Sequence, residues 1–148
     1  NFYYRFVYPH LSDLYVMSPD EFYDTYIEEE LDEYLSRYFI NVCMEYLSLM
    51  NQIHRLPITV TKMGTWLGKT GNIDIIAQSD DRQNIVGLCN WEREELTGDM
   101  CVELFHSMKK AKITSSHIYL FSAKSFSPTV RELAQKDKRF ELIDMNEL

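Results

Sequence analysis

The segment GNIDIIAQSDDRQNIVGLCNW, residues 71–91, decides how the rest of the chain is read. NIDIIA at 72–77 and NIVGLCNW at 84–91 both alternate apolar with small or polar residues, as half-buried strands do. Asp80 and Asp81 between them supply turn chemistry. The pair therefore reads as an antiparallel hairpin. Asp74 stands near the start of its first strand. Leu88 and Asn90 share one face of the second, because side chains alternate along a strand, and Cys89 faces the other way as a small core residue.

Working outward, PITVTKM at 57–63 has the same alternation and predicts a further strand, giving a three-stranded antiparallel meander. All five glycines fall between Gly64 and Gly98, which marks this region as one of turns and close backbone approaches; Gly64 and Gly68 are read as turn residues. Upstream, Ser18, Pro19 and Glu21 form an N-cap, a first-turn proline and a capping-box acid. From Ile27 the apolar positions Leu31, Tyr34, Leu35, Tyr38, Val42, Tyr46, Leu47 and Met50 recur at helical spacing, with the acidic run 28–30 as a solvated face or a short break. Downstream, Val102, Leu104, Phe105 and Met108 predict a helix over 100–112 with a basic end. HIYLFSA at 117–123 reads as a strand, SPTVRELAQK at 127–136 as a capped helix and RFELIDM at 139–145 as a last strand. The predicted order is α-β-β-β-α-β-α-β.

A chain of 148 residues, 45% hydrophobic, buries one core. We expect an aromatic arm at 1–17 and one domain at 18–148. The lack of an initiator methionine leads us to expect a piece of a longer chain, and no apolar run suits a signal peptide or a membrane span, which places it in the cytoplasm. Cys43, Cys89 and Cys101, odd in number, suit reduced thiols rather than a disulfide framework or a metal cage. The net charge is −8, the wrong sign for gripping a nucleic-acid backbone. Residues 1–55 carry 10 acids against 3 Lys and Arg, whereas 56–148 carry 13 against 12, so a nucleic-acid surface would need Lys109, Lys110, Lys112, Lys124, Arg131, Lys136, Lys138 and Arg139 to converge. Nine of ten tyrosines lie in residues 1–46, a density suited to packing against another protein or domain. His10, His54, His106 and His117 make no i, i+4 ligand pair, and Trp66 and Trp91 read as packing residues rather than a base-stacking platform.

The order of elements, with an Asp on the second strand and a short signature on the third, resembles the PD-(D/E)XK nuclease fold, an α/β restriction-endonuclease-like α-β-β-β-α-β core with a mixed sheet flanked by helices. More closely, FYYRFVYP at 2–9, LDEYLSRYF at 31–39, MGTWLG at 63–68, NIDIIA at 72–77, GLCNW at 87–91 and FSAKSFSPTVRELA at 121–134 resemble the C-terminal domain of unknown function carried by archaeal and bacterial AAA-type ATPases. The resemblance implies an upstream P-loop ATPase module and a winged-helix segment. No Gly-x-x-x-x-Gly-Lys-Ser/Thr run occurs here.

Such nucleases hold one or two divalent metals between a strand Asp and a Glu of the next strand, while a Lys two residues on orients the attacking water and a helix Glu completes the shell. On the family pattern Asp74 occupies the Asp position, Leu88 the Glu position, Asn90 the Lys position and Ile40 the helix Glu position. Leu and Ile cannot ligate a metal, and an amide offers a neutral dipole in place of an ammonium. Asp74 is either a residual Mg²⁺ or Mn²⁺ ligand or a carboxylate spent on backbone N–H groups or a lysine. Glu33 and Glu45 are poorly placed to replace the helix Glu; Glu92, Glu94 and Glu95, with Lys62 and Lys69, are the candidates for relocated chemistry. The expected function is a degenerate, non-catalytic nuclease-like module that needs no cofactor and contacts its own upstream ATPase domain or another protein through the aromatic arm. The alternatives are a metal-dependent nuclease built on Asp74 with Glu92 or Glu94, and a nucleic-acid-binding domain that does not cleave.

Overall fold

Phe39, Cys43 and Leu47 recur every four residues and all three are buried, so the apolar stripe of the long helix faces a core. This helix, α1, spans Glu28–Gln52 in a computed structural model that describes residues 28–69, 71–115 and 117–145. The chain divides between Tyr38 and Phe39 into two units. The described part of the first is the opening of α1, where the exposed pair Arg37–Glu33 meets at 2.7 Å one turn apart. The helix start expected at Ser18 and the arm at 1–17 lie outside the described residues. The second unit holds the sheet and the remaining helices.

At its far end α1 closes on His54 in the left-handed conformation, φ 57°. Arg55 N–H then donates back to the Met50 carbonyl at 2.9 Å, the six-to-one bond that ends many helices. The next segment corrects an expectation. PITVTKM does not form the predicted strand over 57–63; strand β1 is Lys62–Leu67. The reason is the Asn51 side chain, which accepts from Val60 N–H at 2.9 Å and donates to the Val60 carbonyl at 3.0 Å. Both backbone groups of Val60 are thereby taken by an amide on α1, and pairing with the sheet begins one residue later, at Thr61 N–H to the Gln78 carbonyl.

Strands β2 (Asn72–Gln78) and β3 (Asn84–Asn90) come next and extend β1 as an antiparallel meander, as the sequence indicates, with Asp80 and Asp81 in the turn between them. The chain then adds a two-residue strand β4 (Glu95–Leu96), helix α2 (Gly98–Ala111), strand β5 (His117–Ser122), a second two-residue strand β6 (Ser125–Phe126), helix α3 (Pro128–Lys136) and strand β7 (Phe140–Asp144). Strands β4 and β6 pair in parallel as a separate ribbon, too short to leave a periodic signal in the sequence. The main sheet runs β1-β2-β3-β5-β7, antiparallel across its first three strands and parallel from β3 onward. It is a mixed α/β architecture with five sheet strands and three helices among the described residues. Ser127 caps α3 by accepting from Val130 N–H at 3.3 Å, with Pro128 opening the helix as expected.

Helices cover both faces of the sheet. Strand β5 shows the consequence: Ile118 and Leu120 enter the core shared with Cys101, Leu104 and Met108 of α2 and Val130 of α3. Tyr119 and Phe121 enter the core shared with Phe39, Cys43 and Leu47 of α1. On α2 the buried stripe is Cys101, Leu104 and Met108, whereas Val102 and Phe105, expected on the core face, are 52% and 38% exposed. Apolar residues lie on two sides of this helix, and only contact with the sheet selects one of them. No helix among the described residues is long and apolar enough to cross a membrane.

Gly87 lies directly opposite Ile75 in the ladder, and a Cβ there would sit 2.9 Å from the Ile75 Cβ. Gly87→Ala is therefore expected to lower stability by about 1–3 kcal/mol through overpacking. Urea unfolding measures it. In an Ile75→Gly background, which removes that Cβ, the penalty should shrink, and an undiminished penalty would place the strain elsewhere.

Candidate functional site

The pairing of β1 with β2 slips around Asp74. Gly64 lies opposite Ile76 and Trp66 opposite Ile73, so one residue of β1 faces two of β2, Asp74 and Ile75. This is a β-bulge, a device that re-aims side chains. Its effect is visible in the packing, since Ile73 joins the core on the α2 side while Ile75, of the same parity, joins the core on the α1 side. The Thr65 hydroxyl donates to the Asp74 carbonyl at 2.8 Å and holds the kink.

The bulge turns the Asp74 carboxylate toward β3, where Oδ2 accepts the Cys89 N–H at 2.9 Å. Desolvation raises the Asp74 pKa above the usual 3.8, and the Cys89 hydrogen bond opposes part of that rise. Asp74 borders a cleft of about 530 Å³ between the sheet and α2, whose walls include Asn72, Leu88, Glu103, His106 and Lys110. Ser107 closes one side against Gly71, where a Cβ would come within 2.6 Å of the Ser107 Oγ.

The positions singled out from the sequence are only partly brought together. Asp74 and Leu88 border the same cleft, and Leu88 also packs against the α2-side core. Asn90, 2% exposed, does not line it. Its amide donates to the Arg93 carbonyl at 2.8 Å and the Ser122 Oγ at 3.0 Å, and its Oδ1 accepts from Arg93 N–H at 3.2 Å. Asn90 thus ties the 91–94 turn to the end of β5. Ile40 packs in the α1-side core, across the sheet from Leu88. Glu92, Glu94, Lys62 and Lys69 are not among the cleft residues, and Glu94 pairs with Lys124 at 3.1 Å.

Sequence reasoning missed Glu103 and did not bring His106 and Lys110 together with it. They succeed one another on α2 at three- and four-residue spacing, a polar stripe that was available to be read. Among the described residues no three His, Cys, Asp or Glu side chains approach closely enough to hold a metal ion. The cysteines are free, and burial pushes the thiols of Cys89 and Cys101 up, the latter to about 11, which disfavours a thiolate nucleophile at neutral pH. Trp66 packs into the α2-side core, while Trp91 packs into the α1-side core with its ring 5.7 Å from Phe39.

Several basic residues of the second half are engaged individually. Lys124 pairs with Glu94, Lys136 with Glu132 at 2.8 Å and Arg139 with Asp137 at 2.7 Å. Arg131 donates to the Phe126 carbonyl at 3.3 Å. The arrangement around Asp74 is a polar cleft with one half-buried carboxylate already engaged by the backbone.

Asp74→Ala leaves the Cys89 N–H without its acceptor and is expected to cost about 1–3 kcal/mol. Asp74→Asn keeps an acceptor oxygen and should cost less. The pH dependence separates these roles. Because the folded-state pKa of Asp74 is raised, its contribution is fully present below the ordinary carboxylate value and is lost as pH rises through the folded pKa. Thermal unfolding of wild type and Asp74→Asn between pH 3 and 7 should therefore show the variant gaining relative to wild type as pH rises; parallel curves would contradict a raised pKa.

Residues 3–100 match a family model, a span that takes in the bulge, Asp74, Leu88 and Asn90 and stops in the first turn of α2. An uncharacterized protein of Methanocaldococcus jannaschii is 31% identical over 80 residues, 54% of this chain. The match covers only 18% of that protein's length. No solved structure matches the chain significantly. With a family match covering more than half of its residues, the chain belongs to DUF234, archaeal and bacterial proteins of unknown function.

Proposed function

We propose that this chain is a nuclease-like module that has given up catalysis and acts by contact, as an interaction or regulatory domain attached to an ATPase. One observation carries the reading: the chemistry-bearing positions are committed to structure. Asp74 serves the Cys89 N–H, Leu88 packs against a core and Asn90 ties the 91–94 turn to the end of β5. A two-metal or one-metal hydrolytic site needs several oxygen ligands converging on one point. Asp74 has no second and third ligand of that kind beside it among the described residues. The order of elements and the mixed five-stranded sheet support the PD-(D/E)XK assignment, which stays part of this reading.

On the same reading the partner is the chain's own upstream ATPase domain or another protein, reached through the aromatic segment at 1–17, and the module works in the cytoplasm without a cofactor. The share of the Methanocaldococcus jannaschii relative left uncovered leaves room for such a domain.

Calorimetric titration of Mn²⁺ into wild type and Asp74→Ala should be silent for both. DNA and RNA should survive incubation with wild type in Mg²⁺ or Mn²⁺. Cleavage that disappears in Asp74→Ala would sink the proposal and favour a metal-dependent nuclease in which Glu103 or His106 assists Asp74. Leu88→Glu adds a carboxylate to the wall shared with Asp74 and is expected to create Mn²⁺ binding where wild type has none. Failure of that gain in a folded variant would count against the nuclease-like geometry while leaving the absence of catalysis untouched.

A further inference from the structure

A second cleft, of about 380 Å³, opens where β5 and β7 begin. His117 is the first residue of β5, and Lys138 and Arg139 form the turn that leads into Phe140, the first residue of β7. The end of α1 adds His54 and Arg55. The left-handed turn at His54 and the bond from Arg55 N–H to the Met50 carbonyl reverse the chain there and bring both residues to the rim. Strand register separates this cleft from the Asp74 site: His117 lies opposite Ile85 near the start of β3, whereas Leu88 and Cys89 lie near its end.

Five side chains able to carry positive charge thus border one concavity, against a single acid, Glu141. Four of them, those of His54, Arg55, His117 and Lys138, make no side-chain hydrogen bond or ion pair among the described residues. Arg139 is paired with Asp137 at 2.7 Å, on a carboxylate that does not line the cleft. In a chain of net charge −8 such a cluster is a local reversal of sign. Like charges gathered without counter-ions repel one another, and an anion in their midst removes that repulsion. Arg and Lys suit phosphate oxygens, Arg by its two-pronged fork, and either imidazole can donate an N–H in its neutral or charged form.

The geometry points to this cleft as a binding site for a phosphate-bearing anion, with Arg55 and Lys138 as the principal charge partners and His54, His117 and Arg139 as further donors. It does not depend on the reading of the Asp74 cleft. The phosphate belongs either to a small free ligand or to a nucleic-acid backbone, and two probes separate these sources. The 148-residue chain is titrated calorimetrically at low salt with inorganic pyrophosphate, and separately with a short single-stranded DNA lacking terminal phosphates.

Binding of at least one probe is expected, weakening as salt rises. Arg55→Ala and Lys138→Ala should each reduce affinity by roughly tenfold or more, as loss of a charged hydrogen bond does. Lys124→Ala, whose side chain lies outside the cleft, should bind as wild type. Pyrophosphate alone would identify a free phosphorylated ligand, and binding of the DNA would identify backbone phosphates. No binding of either probe, or equal affinity in an Arg55→Ala, Lys138→Ala double variant, would overturn the proposal. Arg55 is exposed and Lys138 lies on an exposed turn, so these variants are expected to fold, and Arg55→Gln with Lys138→Gln repeats the test with the stems of both side chains retained.

Discussion

The hydrogen bond from Cys89 N–H to the Asp74 carboxylate is the constraint on which the rest of this structure turns. The ladder between β2 and β3 is regular from Gln78↔Asn84 to Ile75↔Gly87. Beyond Gly87, the β2 bulge carries the backbone out of step, and the half-buried Cys89 N–H on β3 would be left without a partner. An unsatisfied buried amide is costly, and a side-chain carboxylate is the nearest acceptor. By taking it, Asp74 lets β2 change faces, so that Ile73 serves one core and Ile75 the other. The same bond explains how a carboxylate stays in a setting whose burial raises its pKa.

The neighbouring positions obey the same logic. Asn90 has one amide donor group shared between the Arg93 carbonyl and the Ser122 hydroxyl, while its oxygen accepts from Arg93 N–H. Ser122 in turn donates to the Ser125 carbonyl at 2.8 Å, so the network reaches the β6 strand. A short neutral side chain with both donor and acceptor fits that place; an ammonium, which only donates, could not accept the Arg93 N–H. Leu88 contributes apolar surface where the sheet meets α2. Together these residues make the end of β3 a structural joint.

Much of the architecture was legible because the patterns that encode it are local. The long helix, the hairpin at 71–91 and the Ser127–Pro128 cap depend on residues within a few positions of one another, and each lies where the sequence puts it within the described residues. The failures have a common cause in long-range contact. Strand β1 begins five residues later than its alternation implies because Asn51, on α1, captures Val60. Val102 and Phe105 face outward because the sheet accepts the Cys101, Leu104 and Met108 side of α2. Glu103, His106 and Lys110 were not grouped because their spacing alone does not say which element they face.

By itself, the sequence determined the order of the longer elements, the mixed character of the chain and the identity of the residues at 74, 88 and 90, since periodicity, turn chemistry and side-chain functional groups are properties of short segments. The tertiary structure alone decided what those residues do. Whether Asp74 is a ligand or an acceptor for a backbone amide depends on where Cys89 lies, fifteen residues away. Whether scattered basic residues form a surface depends on bringing the end of α1 to the beginnings of β5 and β7. Hydrogen bonds and Coulomb interactions act over a few ångströms in space, and separation along the chain does not predict that distance until the fold has closed.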